Sequence, residues 1–112
     1  MKIVIGDLLY DVSPDGNIIC GTGKYAREIH LTQNGNIITC QHKDWQGNEL
    51  DFVDTIVTVT GIDRATQQEI VEVTETLTPA DMEIDLTDYV GCDLKIVATC
   101  LNAEGASMEV EL

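Results

Sequence analysis

Near the end of the chain, apolar and polar residues alternate with a period of two. Leu94, Ile96, Ala98 and Cys100 are interleaved with Asp93, Lys95, Val97 and Thr99. After Asn102-Ala103-Glu104-Gly105 the pattern resumes, with Ala106, Met108, Val110 and Leu112 set against Ser107, Glu109 and Glu111. A strand sends successive side chains to opposite faces, so this pattern makes one dry face and one wet face. Two such runs about a glycine-containing turn predict a β-hairpin. Its dry face must be buried against a second layer, which restricts the chain to layered sheet architectures.

The same reading extends upstream. Asn36 to Lys43 and Thr55 to Thr60 read as strands, separated by the turn Asp44-Trp45-Gln46-Gly47-Asn48. Gly61-Ile62-Asp63-Arg64 predicts another turn, and Glu69 to Leu77, rich in Val, Ile and Thr, another strand. Pro79 stops that strand because proline donates nothing to a ladder. Met82, Ile84 and Leu86 alternate with Glu83 and Asp85, and Leu86 to Gly91 forms a tight corner with room for one helical turn. Nearer the start, Lys2–Ile5 and Asn17–Cys20 are short strands around Ser13-Pro14-Asp15-Gly16. Glu28–Thr32 and Asn36–Cys40 flank Gln33-Asn34-Gly35, and Asn-Gly is a strong hairpin signal. Short helices over Asp7–Val12 and Lys24–Ile29 are the alternative there. Seven to nine strands at regular spacing predict an all-β fold, a sandwich or a barrel, with an antiparallel β-sandwich preferred. The 112 residues match one domain, 1–112, in which residues 1–34 supply strands whose place the spacing does not identify.

Composition narrows the partners. With Tyr10, Tyr25, Trp45, Phe52 and Tyr89 as the only aromatics, the core must be built from Ile, Val and Leu. The net charge is −14, and residues 51–112 alone carry two basic and fourteen acidic groups. Such a field repels phosphate backbones and anionic lipid, so neither nucleic acid nor membrane is an expected partner. The apolar run after Met1-Lys2 is too short for a secretion signal, and a cytoplasmic origin is expected. There Cys20, Cys40, Cys92 and Cys100 are expected to be buried thiols, with a bridge between the Cys40 strand and the Cys92–Cys100 strand as the alternative.

No segment carries a cofactor signature. Asp11, Ser13 and Asp15 occupy positions 1, 3 and 5 of a calcium-loop pattern with Gly16 at position 6. Thr22 stands where the bidentate glutamate belongs and Pro14 lies inside the loop, so an Asp-Gly turn is the expectation. Gly21-Thr22-Gly23-Lys24 lacks both the first glycine and the final hydroxyl of a phosphate loop, and the two glycines predict a bend or bulge. Cys40 and His42 share a strand face, but side chains two residues apart stand about 6–7 Å from each other, too far for a thiolate–imidazole hydrogen bond. The carboxylates sit mainly at alternate strand positions, such as Glu83/Asp85 and Glu109/Glu111, which are solvated faces. No catalytic constellation emerges, and an enzyme is not expected.

Residues 35–60 run Gly-Asn-Ile-Ile-Thr-Cys-Gln-His, then the turn Lys43-Asp44-Trp45-Gln46-Gly47-Asn48, then a β-branched strand. This resembles bacterial and phage immunoglobulin-like domains, and the segment from Asp85 through the last hairpin is similar to their closing strands. The chain departs from antibody-type domains, since Trp45 follows Cys40 too closely and Tyr89 precedes Cys92 by three residues rather than two. The resemblance implies an immunoglobulin-like core over residues 35–112. It also implies a non-enzymatic structural or protein-interaction role, such as a head or tail component of a phage virion. Protein partners, including further copies of this chain, would be met at Trp45, Gln46 and Asn48 on one tip and at Asn102 and Glu104 on another. The alternative is a carbohydrate- or calcium-binding module of a surface protein.

Overall fold

The computed structural model describes residues 1–112, which form eleven strands and one turn of 3-10 helix. The first three strands, β1 (Lys2–Ile5), β2 (Leu8–Val12) and β3 (Ile18–Tyr25), make an antiparallel sheet in the order β1-β2-β3. The other eight form two four-stranded sheets. One runs β10 (Ala103–Glu104), β4 (Arg27–Asn34), β5 (Ile37–Asp44), β8 (Glu83–Asp85). The other runs β11 (Ala106–Glu111), β9 (Cys92–Thr99), β6 (Thr55–Asp63), β7 (Glu69–Leu77).

These two sheets stack into a sandwich. Alternate residues of β5 and β9 point inward, as their period-two patterns require. Ile29, Ile38, Cys40 and Ile84 from one sheet meet Val57, Val59, Leu94, Ile96, Ala98 and Val110 from the other in a single buried cluster. Aromatic rings are almost absent from this core, and branched aliphatics fill it. The 3-10 turn Thr87–Tyr89 sits at the expected corner between β8 and β9. The β4–β5 hairpin pairs Asn34 with Ile37, leaving Gly35 and Asn36 as its two-residue loop. Gly35, with φ 61°, takes the first loop position, where a type II′ turn needs positive φ.

Two expectations change, and the helical alternatives fall away. Asp7–Val12 and Lys24–Ile29 are not helical: Leu8–Val12 is β2, and Lys24 to Ile29 spans the end of β3 and the start of β4. Segments of six residues are too short to repay helix nucleation, and a sheet partner is close at hand. Gly61 does not turn the chain. β6 continues to Asp63, with a register shift against β7 between Val59 and Gly61, because a strand glycine here admits the close approach of β9. Lastly, Asn102–Gly105 is more than a hairpin turn. Asn102 adopts φ 56°, and Ala103 and Glu104 then cross to the other sheet, pairing parallel to Arg27 and Glu28. Those two residues cover part of the outer edge of β4 before the chain returns as β11.

The molecule measures 60 × 28 × 20 Å. β3 and β4 follow one another with only Ala26 between, where the chain bends, and the main contact of the first sheet with the sandwich is that of β3 with β10. The three-stranded sheet is thus an arm projecting from one end of the sandwich, and no residue before Ile29 belongs to the core cluster.

Candidate interaction surfaces

Trp45 and Asn102, which the sequence assigns to separate tips, lie together at the end of the sandwich from which the arm departs. Both line a small cavity of about 250 Å³ with Val4, Gly6 and Asp7 of the arm and Arg27 and Leu50 of the sandwich. The turn that carries Trp45 is built by Asp44. One carboxylate oxygen accepts the backbone N–H groups of Gln46 and Asn48, both at 2.9 Å, and the other accepts the Asn48 amide at 3.2 Å. Desolvation, the largest single influence, raises the Asp44 carboxyl, but the hydrogen bonds from Asn48, Gln46 and Gly47 together outweigh it and hold the group below its ordinary range. Gly47 closes the turn at φ 86°. Trp45 is half-buried, whereas Gln46, Asn48 and Asn102 are exposed. Glu104 is engaged internally, its carboxylate accepting the backbone N–H of Tyr25 at 3.1 Å, which ties β10 to the root of the arm.

Behind this junction lies a polar chain in which His42 and Thr55 are buried and Arg27 is half-buried. The Arg27 guanidinium donates to His42 Nδ1 at 2.9 Å and to the Asp51 carbonyl at 2.9 Å. The Thr55 hydroxyl donates to the Val53 carbonyl at 2.8 Å and stands 2.7 Å from His42 Nε2. Arginine has no acceptor, and the Thr55 proton is already used, so Nδ1 accepts and Nε2–H donates. This sets a neutral imidazole with its proton on Nε2. The Phe52 ring packs edge-on to it, 4.7 Å between centroids. The set pins the crossover Asp51–Asp54 between the two sheets and supports the face that carries Trp45.

Burial, and next the Arg27 charge, lower the pKa of His42 below its ordinary value. The unfolded imidazole titrates near about 6.5. A folded pKa below that value means a contribution fully present above about pH 6.5 and lost as the pH falls below it. In a ¹⁵N NMR titration the His42 ring should keep the neutral Nε2–H pattern as the pH falls through about 6.5, where a free imidazole is half protonated. An imidazolium signal for His42 at that pH would contradict the assigned hydrogen bonds.

Cys40, beside this chain, is a buried thiol that desolvation pushes up to about 11. His42 is committed on both nitrogens, so the two do not form a nucleophilic pair. All four cysteines are free thiols: Cys40 and Cys92 are buried and Cys100 is half-buried. Cys20 departs from the expected burial and is exposed on β3, its thiol directed at Asp11.

In the arm, Asp11, Ser13 and Asp15 do not converge. Asp11 is on β2 facing Cys20, and the Asp15 carboxylate is taken up within its own turn by the Ser13 hydroxyl and the Asn17 amide. Those local donors lower the Asp15 pKa, with Ser13 foremost. Gly21 and Gly23 make the expected bulge, a register shift against β2 with Gly23 at φ 77°.

Two surfaces lie outside the sequence-derived sites. The first is an open concavity of about 940 Å³ on the β11-β9-β6-β7 sheet, where Glu69, Glu72, Asp93, Glu109 and Glu111 surround Lys95. At its rim Arg64 donates to Asp93 at 2.7 Å and to the Cys92 carbonyl at 3.0 Å. The second is one face of the arm. Register pairs Ile3 with Tyr10, Ile5 with Leu8 and Val12 with Ile18, and paired residues share a face. Only Val12 among these six is buried; Ile5 is 46%, Leu8 39% and Ile18 52% exposed. The opposite face carries Leu9, which is buried, and Val4, which is 39% exposed and lines the cavity with Trp45. The signal was present as three short alternating runs, but alternation does not reveal which dry face lacks a cover. Compared with protein-family models, curated proteins and solved structures, the chain matches none of them.

Proposed function

We propose that this chain is a non-enzymatic structural module that works by binding protein, with the arm as its docking element. One observation carries the reading: an apolar sheet face that the chain leaves uncovered. Each apolar side chain buried there by a partner is worth about 25 cal/mol per Å² removed from water, and a contiguous exposed patch of this kind marks an interaction surface. The acid-coated sandwich keeps the rest of the surface soluble and non-adhesive.

An immunoglobulin-like relationship for the sandwich belongs to the same proposal. Counting from β4, one sheet holds the first, second and fifth major strands, β4, β5 and β8. The other holds the fourth, third, sixth and seventh, β7, β6, β9 and β11. That division supports an immunoglobulin-type Greek key in which the fourth strand has moved beside the third. The resemblance of residues 35–112 to bacterial and phage domains makes a head or tail part of a phage particle the assembly proposed, an argument from fold analogy.

Photo-crosslinking in cells that make the protein tests the docking role. A photo-reactive residue in place of Ile18 should give a discrete protein adduct, whereas one in place of Thr76, exposed on β7, should give none. Absence of any adduct at position 18 would overturn the reading.

A further inference from the structure

We infer that the occupant of the arm's apolar face is the same face of a second copy, packed with its strands antiparallel to the first; this rests on the arm being a docking sheet. Charge selects the occupant. Residues 1–25 hold Lys2 and Lys24 against Asp7, Asp11 and Asp15, a net of 2 − 3 = −1. The remaining residues therefore carry −14 − (−1) = −13. Two copies approaching through their sandwiches would bring together surfaces of −13 each, while the arms meet almost without repulsion.

Charge also selects the direction. The sandwich begins at Arg27, so Leu8, paired with Tyr25, lies at the root of the arm. Ile18, paired with Val12, lies at the tip beside the Asp15-Gly16 turn. Antiparallel packing seats the Ile18 end of each arm over the Leu8 end of the other and puts the two acidic sandwiches at opposite ends. Parallel packing would set them side by side. The antiparallel contact is isologous, the same patch on both copies, and it closes at two. Sheets packed face to face lie about 10 Å apart, which lets Ile3, Ile5, Leu8, Tyr10 and Ile18 interdigitate with their counterparts.

Size sets the strength. Three strands of four or five paired residues make a face of about 14 × 15 Å. Two such faces together come to about 420 Å², well below the roughly 1,200 Å² at which specific stable interfaces begin, so the dimer is weak and reversible.

The experiment is light scattering and sedimentation equilibrium on the full chain under reducing conditions, from about 10 µM to about 1 mM. The mass should rise with concentration from 12.3 kDa towards twice that value. Ile18→Lys and Leu8→Glu, both at exposed positions, should each weaken association roughly tenfold or more. Mixing the two variants should restore it, because Lys at position 18 of one copy then faces Glu at position 8 of the other, and the reciprocal contact keeps Leu8 against Ile18. Recovery on mixing also shows that both variants are folded. A wild-type mass fixed at 12.3 kDa throughout overturns the proposal; so does a dimer that both substitutions leave intact, or a mixture that stays monomeric. A monomer that still gives a foreign adduct at position 18 overturns self-pairing alone and leaves the docking role standing.

Discussion

Replacing Ile96 by alanine is expected to cost about 3–4 kcal/mol, near the middle of the range for truncating a buried large aliphatic. Ile96 is 0% exposed and occupies the inward face of β9, paired with Val59 on β6 and Met108 on β11. A ladder holds the strand on each side, and Ala98 and Leu94 flank it on the same face. The backbone therefore has little freedom to collapse into the space left by the side chain. A protein of this size loses roughly 4 °C or slightly more of melting temperature per kcal/mol, so the midpoint should fall by about 12–20 °C. Urea denaturation is the sharper measurement. The midpoint concentration should drop while the slope stays that of the wild type, because the folded surface is unchanged. A loss below about 1 kcal/mol would mean that Ile96 does not sit between two sheets as described.

Gly61→Ala should cost about 2–4 kcal/mol, although it adds a single methyl group. A Cβ at this position would run into the backbone carbonyl oxygen of Asp93, 2.8 Å from Leu94 Cδ2 and 3.0 Å from Leu94 Cα. Two of those three atoms are backbone. Relief requires the β6–β9 ladder to part, where Gly61 is paired with Leu94 and Ile62 with Asp93. The strain should be local before it is global. Amide exchange of β6 and β9 near Gly61 and Leu94 should accelerate well beyond that of β5, which belongs to the other sheet. Gly35→Ala is the useful contrast: its Cβ would meet nothing, so only the cost of φ 61° remains. If Gly61→Ala proved as mild as Gly35→Ala, the close approach of the two strands would be refuted.

The two predictions draw on different kinds of information. Ile96 was legible from the start, since Leu94, Ile96 and Ala98 mark the dry face of a strand. Gly61 was readable as a special glycine, but its neighbours Ile62-Asp63-Arg64 pointed to a turn. The decision for a continuing strand came from β9, some thirty residues later in the chain. The candidate surfaces divide in the same way. The turn that carries Trp45, Gln46 and Asn48 was legible because Asp44 has a local chemical signature, a carboxylate capping the amides of Gln46 and Asn48. The apolar arm face was missed because nothing local separates a covered dry face from a bare one.

What the sequence determined by itself was local and periodic: strand or turn, inward or outward, and the positions where a chain must reverse. Glu69–Leu77, the Gly35 loop and the corner at Thr87–Tyr89 follow from side-chain alternation and from the backbone freedom of single residues. The tertiary structure alone decided who stands next to whom. Glu104 reaches the backbone of Tyr25 across 79 residues, Trp45 and Asn102 meet at the root of the arm, and Arg27, His42 and Thr55 join in one polar chain. The physical reason is that a hydrophobic pattern specifies that a face must be buried without specifying against what. The partner is selected by the free energy of the whole packed arrangement, to which residues far apart in the chain contribute together.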